Sequence, residues 1–563
     1  MDNKIIIYQV FTRLFGNDNA KCQNNGDKKE NGCGKFSDFT QKALFAIKEL
    51  GVTHIWYTGV IEHATQTDYS AVGITPDHPA VVKGKAGSPY AIKDYYDIDP
   101  DLAGKPEERM KEFENLITRT HKAGLKMIID FVPNHVARQY HSDSKPAGIK
   151  DLGEDDQNDR AFDPQNNFYY IPGQPFNPQF DLSQGGAAPY YEFPAKATGN
   201  DNFSPCPGRN DWYETVKLNY GVDYCNGRQT HFDPIPDTWL KMRDILLFWA
   251  QKGIDGFRCD MAEMVPVEFW GWVIPQIKLH HPGIIFIAEV YNPNEYRNYI
   301  HCGHFDYLYD KVGLYDTLRN IVCGYGSAKQ ITGCWQNVDD IKNHMLNFLE
   351  NHDEQRLASD FFAGNAEKGK AALIVSACMG CNPMMIYFGQ ELGERGMDEE
   401  GFSGRDGRTT IFDYWSVDTI RRWRNKGKFD NKHLTAEEIM LREYYTQILT
   451  ICRKEKAISE GDFYDLMYVN QGSDLFNADK SYAFIRRKNK TLLLIIVNFE
   501  EVEKHMSVNL PKHLFEFFNI TEKEEVIATD LLTNNKECIA FNCGQSVMTN
   551  VPAHGGKILK IRL

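Results

Sequence analysis

Over about 450 residues, apolar strand-like segments alternate with amphipathic helix-like ones, and this alternation narrows the fold more than anything else in the chain. Strands are expected at 4–11 (KIIIYQVF), 53–60 (THIWYTGV), 126–132 (KMIIDFV) and 254–260 (IDGFRCD). Four more are expected at 284–290 (IIFIAEV), 305–310 (FDYLYD), 345–350 (MLNFLE) and 383–389 (PMMIYFG). Between them, SDFTQKALFAIKELG, EERMKEFENLITRTHKAG and DTWLKMRDILLFWAQKG carry the helical period. Each opens near Ser, Asp or Pro and closes on Gly, the residues that start and stop helices. Eight strands interleaved with helices imply an α/β fold, and a (β/α)8 TIM barrel in preference to an open sheet.

Two regions break the rhythm. From Val136 to Pro236 the chain is rich in Asn, Asp, Gly, Pro and aromatics and has little helical period. A hundred irregular residues do not make one loop in a compact fold, so this is read as a subdomain inserted after the third strand. From Gly461 onward short strands with turn residues between them (SYAFIRRK, TLLLIIVNF, GKILKIRL) predict a C-terminal antiparallel β-sandwich. The expected organisation is barrel over 1–135, insert over 136–236, barrel again over 237–460 and sandwich over 461–563.

Composition excludes several functions. A formal net charge of −14 without a Lys/Arg tract argues against nucleic acid or an anionic membrane as partner. The longest apolar runs, such as Thr491 to Phe499, are far shorter than a membrane span. The start, MDNKIIIYQVF, has no basic leader or small-residue cleavage site, so a cytoplasmic protein is expected, or one whose leader has been removed. Thirteen cysteines scattered over 563 residues do not form a disulfide framework. The lone CxxC, Cys378 to Cys381, is read as buried structural thiols. The oligomeric state is left open.

In such a barrel, chemistry sits at the C-terminal ends of the strands. The third strand ends in DFVPNH, supplying Asp130, Asn134 and His135. In the fourth, GIDGFRCDMAEM, alternation puts Gly256, Arg258 and Asp260 on one face and Phe257 and Cys259 on the other. The fifth ends in Glu289, and the seventh runs into ENHDEQR with His352, Asp353 and Arg356. Packing does not explain four acids, two histidines and two arginines at one cavity mouth. Glycoside hydrolysis does require such a set: one carboxylate to attack, a protonated carboxyl to donate, and groups to bind ring hydroxyls.

DFVPNH, GFRCDMAEM, FIAEV and FLENHD resemble, in order and spacing, the four signature regions of the α-amylase family, glycoside hydrolase family 13. The likeness extends to GSPYAIKDYYDIDPDL, to YFGQELG, to the insert and to the C-terminal sandwich. It implies a retaining hydrolase acting on α-glucan or maltooligosaccharide, with Asp260 as nucleophile and Glu289 as general acid/base. It further implies that Asp353 binds the 2- and 3-hydroxyls, Arg258 orients Asp260, and His135 and His352 hydrogen-bond the sugar. Tyr90 would stack beneath the sugar, and Asp130 would anchor Arg258 rather than touch substrate. No cofactor is implied for the chemistry.

Two departures stand out. Where relatives commonly carry a basic residue and then histidine after the nucleophile, this chain has Glu263 and Met264. Where relatives carry an acid that binds calcium, ETVKLNYG places Lys217, so structural calcium is possible but not favoured, whether at the junction of insert and barrel or in a loop after the first strand with Asp18 and Asp27, and a metal ligand set is left open. The alternatives are a transglycosidase of the same family and a non-catalytic glucan-binding relative. A phosphate-binding barrel enzyme is disfavoured because GQELGERG is acidic.

Overall fold

The computed structural model describes residues 4–183 and 188–563. All eight expected strands form, trimmed at their ends: β1 (Ile6–Phe11), β2 (His54–Thr58), β3 (Lys126–Phe131) and β4 (Gly256–Cys259), then β5 (Ile285–Ala288), β6 (Tyr307–Tyr309), β7 (Met345–Phe348) and β8 (Met384–Tyr387). They close into a barrel in chain order, β8 returning to β1, and the strand pairs are parallel. The strands are short and almost wholly buried, as a sheet covered on both faces requires.

The helix Arg109–Lys122 shows how the outer layer seals. Its buried residues Phe113, Leu116, Ile117 and Thr120 repeat at the helical period, and Phe113 meets Trp249 of the helix Asp237–Gln251 edge to face. Gly256 opens β4 because a Cβ there would come within 2.6 Å of Ile285 Cγ1 and 3.1 Å of its carbonyl oxygen on β5. Phe257 and Cys259 point outward into that helix layer, where Phe257 packs against Phe131 and Phe286.

Between β3 and the helix Asp237–Gln251 the described residues build short antiparallel pairs. His135–Ala137 pairs with Thr215–Lys217, Tyr170–Ile171 with Ala195–Lys196, and Val222–Asp223 with Gln229–Thr230. Beyond the barrel, six strands form an antiparallel sheet whose central strand, Thr491–Asn498, is almost entirely buried; Lys504–Val508 and Val547–Val551 add a second, two-stranded ladder. Among the described residues no helix is long and apolar enough to cross a membrane.

Candidate active site

The C-terminal mouth of the barrel brings together Asp260, Glu289, Asp353, His135 and Tyr90 of the residues read from the sequence. Asp260 and Glu289 leave β4 and β5 side by side, and one guanidinium holds both. Arg258 donates to Asp260 Oδ1 at 2.7 Å, and its other terminal nitrogen lies 2.8 Å from Glu289 Oε2. Arg258 is fully buried, donates to Tyr309 Oη at 3.1 Å and lies 3.4 Å from Asp130 Oδ1. Asp130 also accepts the indole N–H of Trp56 at 2.9 Å, so it lies behind Arg258 rather than beside the cleft. Met261, directly after Asp260, turns left-handed (φ +44°), which is costly for a residue with a side chain, and its N–H points 2.8 Å from Glu289 Oε2.

Asp353 is presented from the turn after β7, where Asn351 Oδ1 accepts its N–H at 2.9 Å and that of Glu354. His352 Nε2 lies 3.1 Å from Asp353 Oδ2, while the side-chain amide of Gln9 meets Nδ1 at 2.9 Å. Tyr90 stacks on His352 with centroids 5.1 Å apart and hydrogen-bonds it through the phenol. His135 Nε2 is 4.0 Å from Asp260 Oδ2, and its ring tilts against Trp212 of the insert at 5.3 Å.

Burial and crowding set the charge states. Desolvation, then Glu289, Asp353 and Asp130, push Asp260 up against the opposing pull of Arg258. Burial, then Glu289, lifts Asp353 to about 7. Asp260 and Asp353 are therefore both held above the usual carboxylate range by burial and by the acids around them. Burial, then Lys217 and Lys83, lowers His135 to about 3, and burial, then Arg258, lowers His352, so both rings are neutral.

These groups open on a cleft of about 890 Å³ whose far walls come from the insert and from the loop after β8. Sequence reasoning missed that loop, which contributes Glu400, Phe402 and Phe412, and it missed Lys83. It also missed Tyr291, whose hydroxyl donates to Glu289 Oε1 at 2.6 Å. Tyr291 lies two residues beyond Glu289, so strand alternation was the available signal. Arg356 is fully buried outside the cleft, paired with Glu350 at 3.0 Å and donating to Thr409 Oγ1 and to the carbonyl of Phe388. Of the insert aromatics, Trp212 lines the cleft, while Tyr191 and Phe193 are exposed.

The two departures have clear surroundings. Glu263 accepts the N–H groups of Tyr291 and Asn292 at 2.7 and 3.1 Å, so it organises the loop after β5. The Lys217 ammonium, 2% exposed, lies 2.8 Å from Asn134 Oδ1 and 2.5 Å from Asp201 Oδ1, joining the end of β3 to the insert.

Residues 9–448 match the family profile described as "Alpha amylase, catalytic domain". The chain is 24% identical over 479 residues to α-amylase 3 of Dictyoglomus thermophilum, covering 81% of this chain and 78% of that one. It is 24% identical over 280 residues to the α-1,4-glucan:maltose-1-phosphate maltosyltransferase of Cereibacter sphaeroides, covering 47% of this chain and 34% of that one. The noncanonic maltogenic α-amylase AmyB of Thermotoga neapolitana superposes with a TM-score of 0.62 at 18% identity, over 100% of this chain and 99% of that one.

Proposed function

Because the chain belongs to the α-amylase family and is a glycoside hydrolase, we propose that it cleaves α-1,4-glucosidic bonds of starch-like glucans or maltooligosaccharides with retention of configuration. The observation that carries this reading is the shared guanidinium: Arg258 keeps Asp260 and Glu289 together at the mouth where Asp353 also points.

Asp260 attacks the anomeric carbon as the bond to the leaving oxygen breaks, and Glu289 gives its proton to that oxygen. The glycosyl ester on Asp260 is then opened by water, whose proton returns to Glu289, and two inversions restore the α configuration. Arg258 keeps the Asp260 carboxylate oriented and screens the two acids from each other. Asp353 accepts from the 2- and 3-hydroxyls, His135 and His352 hydrogen-bond the same ring as neutral imidazoles, and Tyr90 supplies the stacking face. Enzymes of this family need no cofactor for this chemistry. At the insert junction, Lys217 does with a monovalent ammonium what a bound cation would do with the same oxygens.

The test is the product from maltoheptaose, followed by NMR from the first turnover. Initial α-anomeric maltooligosaccharides shorter than the substrate support the reading, and an initial β product overturns it. Products longer than maltoheptaose identify a transglycosidase, in which a sugar hydroxyl takes the place of water.

A further inference from the structure

Away from the cleft, the strand Ile61–His63 pairs antiparallel with Ile92–Ile98 through a break in register. Ile61 faces Ile98, but Glu62 already faces Asp94, so Tyr95, Tyr96 and Asp97 bulge out opposite Glu62. The bulge turns two carboxylates back on a third. Glu62, Asp94 and Asp97 each bring one oxygen to within 4.8 Å of one another, all three residues being buried.

Asp94 and Asp97 have other partners. Asp94 accepts from Ser142 Oγ at 2.6 Å and from the N–H groups of Ser144 and Tyr96; Asp97 accepts from Arg109 and the Ser144 hydroxyl. Glu62 is different. It is 1% exposed, and neither of its oxygens has a hydrogen-bond partner among the described residues. The nearby cation Lys93 does not serve it, because its ammonium is turned 3.1 Å from Asp77 and donates to the Thr75 carbonyl. A carboxylate withdrawn from water with nothing to compensate it costs several kcal/mol or takes up a positive charge. Burial, then Asp94 and Asp97, pushes Glu62 up to about 9, so without a cation the group holds a proton at neutral pH.

We propose that Glu62, Asp94 and Asp97 bind a hard divalent cation, calcium by preference, which ties the 61–63/92–98 ladder to the root of the insert at Ser142 and Ser144. Ligand oxygens about 2.3–2.6 Å from a common calcium lie within about 5 Å of one another, the spacing seen here. An all-carboxylate donor set selects hard ions over soft ones. Magnesium keeps several waters in a strict octahedron, whereas the cavity beside Glu62, about 10 Å³, has room for about one. The site is separate from the Lys217 junction and independent of the reading of the cleft.

The full-length protein, dialysed against EDTA, is equilibrated with CaCl2 and, separately, with MgCl2; bound metal per chain and melting temperature are measured for wild type and Glu62→Gln. We expect the variant to bind one calcium fewer than wild type and to lose the calcium-dependent rise in melting temperature. Without metal it should melt no lower than wild type, because the amide stands in for a carboxyl that otherwise holds its proton there. Should the variant not fold, terbium luminescence excited through tyrosine reads the wild-type site directly, since Tyr95 and Tyr96 lie in the bulge; saturable emission displaced by calcium supports the site. Wild type that binds neither calcium nor terbium overturns the proposal in favour of a proton shared among the acids. Unchanged calcium binding by Glu62→Gln overturns the location, and a response to magnesium alone overturns the choice of ion.

Discussion

The hydroxyl of Tyr291 donates to Oε1 of Glu289 at 2.6 Å, while the main chain on either side of that hydroxyl is held by Glu263. Glu263 is thus turned to the main chain and fixes the loop that carries Tyr291 onto Glu289, the proposed acid/base. A hydrogen bond to a charged group contributes about 1.5–3 kcal/mol. Tyr291→Phe should lower kcat by at least about tenfold, with KM changing little, since the phenol touches the acid/base rather than the ring hydroxyls. Steady-state kinetics on maltoheptaose check this, and a kcat within twofold of wild type would show the contact to be incidental.

Asp260 and Glu289 share Arg258, yet their losses should be distinguishable. Asp260→Ala and Glu289→Ala are each expected to cut turnover by several orders of magnitude with the fold intact. Added azide separates them on an activated substrate. In Asp260→Ala it replaces the missing nucleophile in a single displacement and gives the β-glycosyl azide. In Glu289→Ala it opens the ester formed on Asp260 and gives the α-glycosyl azide. Reversed stereochemistry would exchange the two roles.

The fold was readable because a barrel repeats one local rule eight times: a short apolar strand, a turn, an amphipathic helix. The acids were readable because they stand at the ends of those strands, where packing calls for no charge. The remainder depends on contacts distant in sequence. The loop that brings Phe402 and Phe412 to the cleft has no period of its own; it is held by Arg356, whose N–H donates to the Gly407 carbonyl and whose guanidinium bonds Thr409. That also explains Arg356, which the sequence placed among the strand-end candidates. The Glu62 cluster was hidden for another reason: three extra residues in one strand of a ladder move side chains between faces, and alternation cannot anticipate a bulge.

Asp353 should make stability depend on pH in a definite direction. Burial first, and then Glu289, raise its pKa to about 7, against about 3.9 for an unfolded aspartate. The folded chain binds the proton more tightly, so the contribution is favourable below about pH 4 and is lost as pH rises through 7. Above that, the fold carries an extra buried charge. Asp353→Asn removes it and should melt higher than wild type at pH 8, with the difference gone near pH 4. The side chain keeps 32% of its surface open to the cleft, so solvent screening limits the gain to about 1 kcal/mol. Thermal melts across pH decide the matter: a variant that melts lower than wild type at pH 8 would mean that Asp353 stabilises the fold as an anion.

Lys217 joins the end of β3 to the insert. Its ammonium lies 2.8 Å from Asn134 Oδ1 and 2.5 Å from Asp201 Oδ1, with the ring of Tyr224 at 5.2 Å, and it is the only one of these groups to bring positive charge to the junction. Removing one partner of a buried pair is costly because the other charge is left behind, although Asp201 is 31% exposed and recovers some hydration. Lys217→Ala should therefore lower the melting temperature and raise KM, since His135 and Trp212 lie where the insert meets the cleft. Lys217→Asp should be worse in metal-free buffer, with two carboxylates facing each other across the junction. It would also assemble, with Asn134 and Asp201, the hard oxygen donors that calcium favours. Calcium should then restore Lys217→Asp but not Lys217→Ala, measured in a Glu62→Gln background so that the other proposed site does not contribute. Rescue of both variants, or of neither, would mean that the charge on Lys217 is not what holds the insert to the barrel.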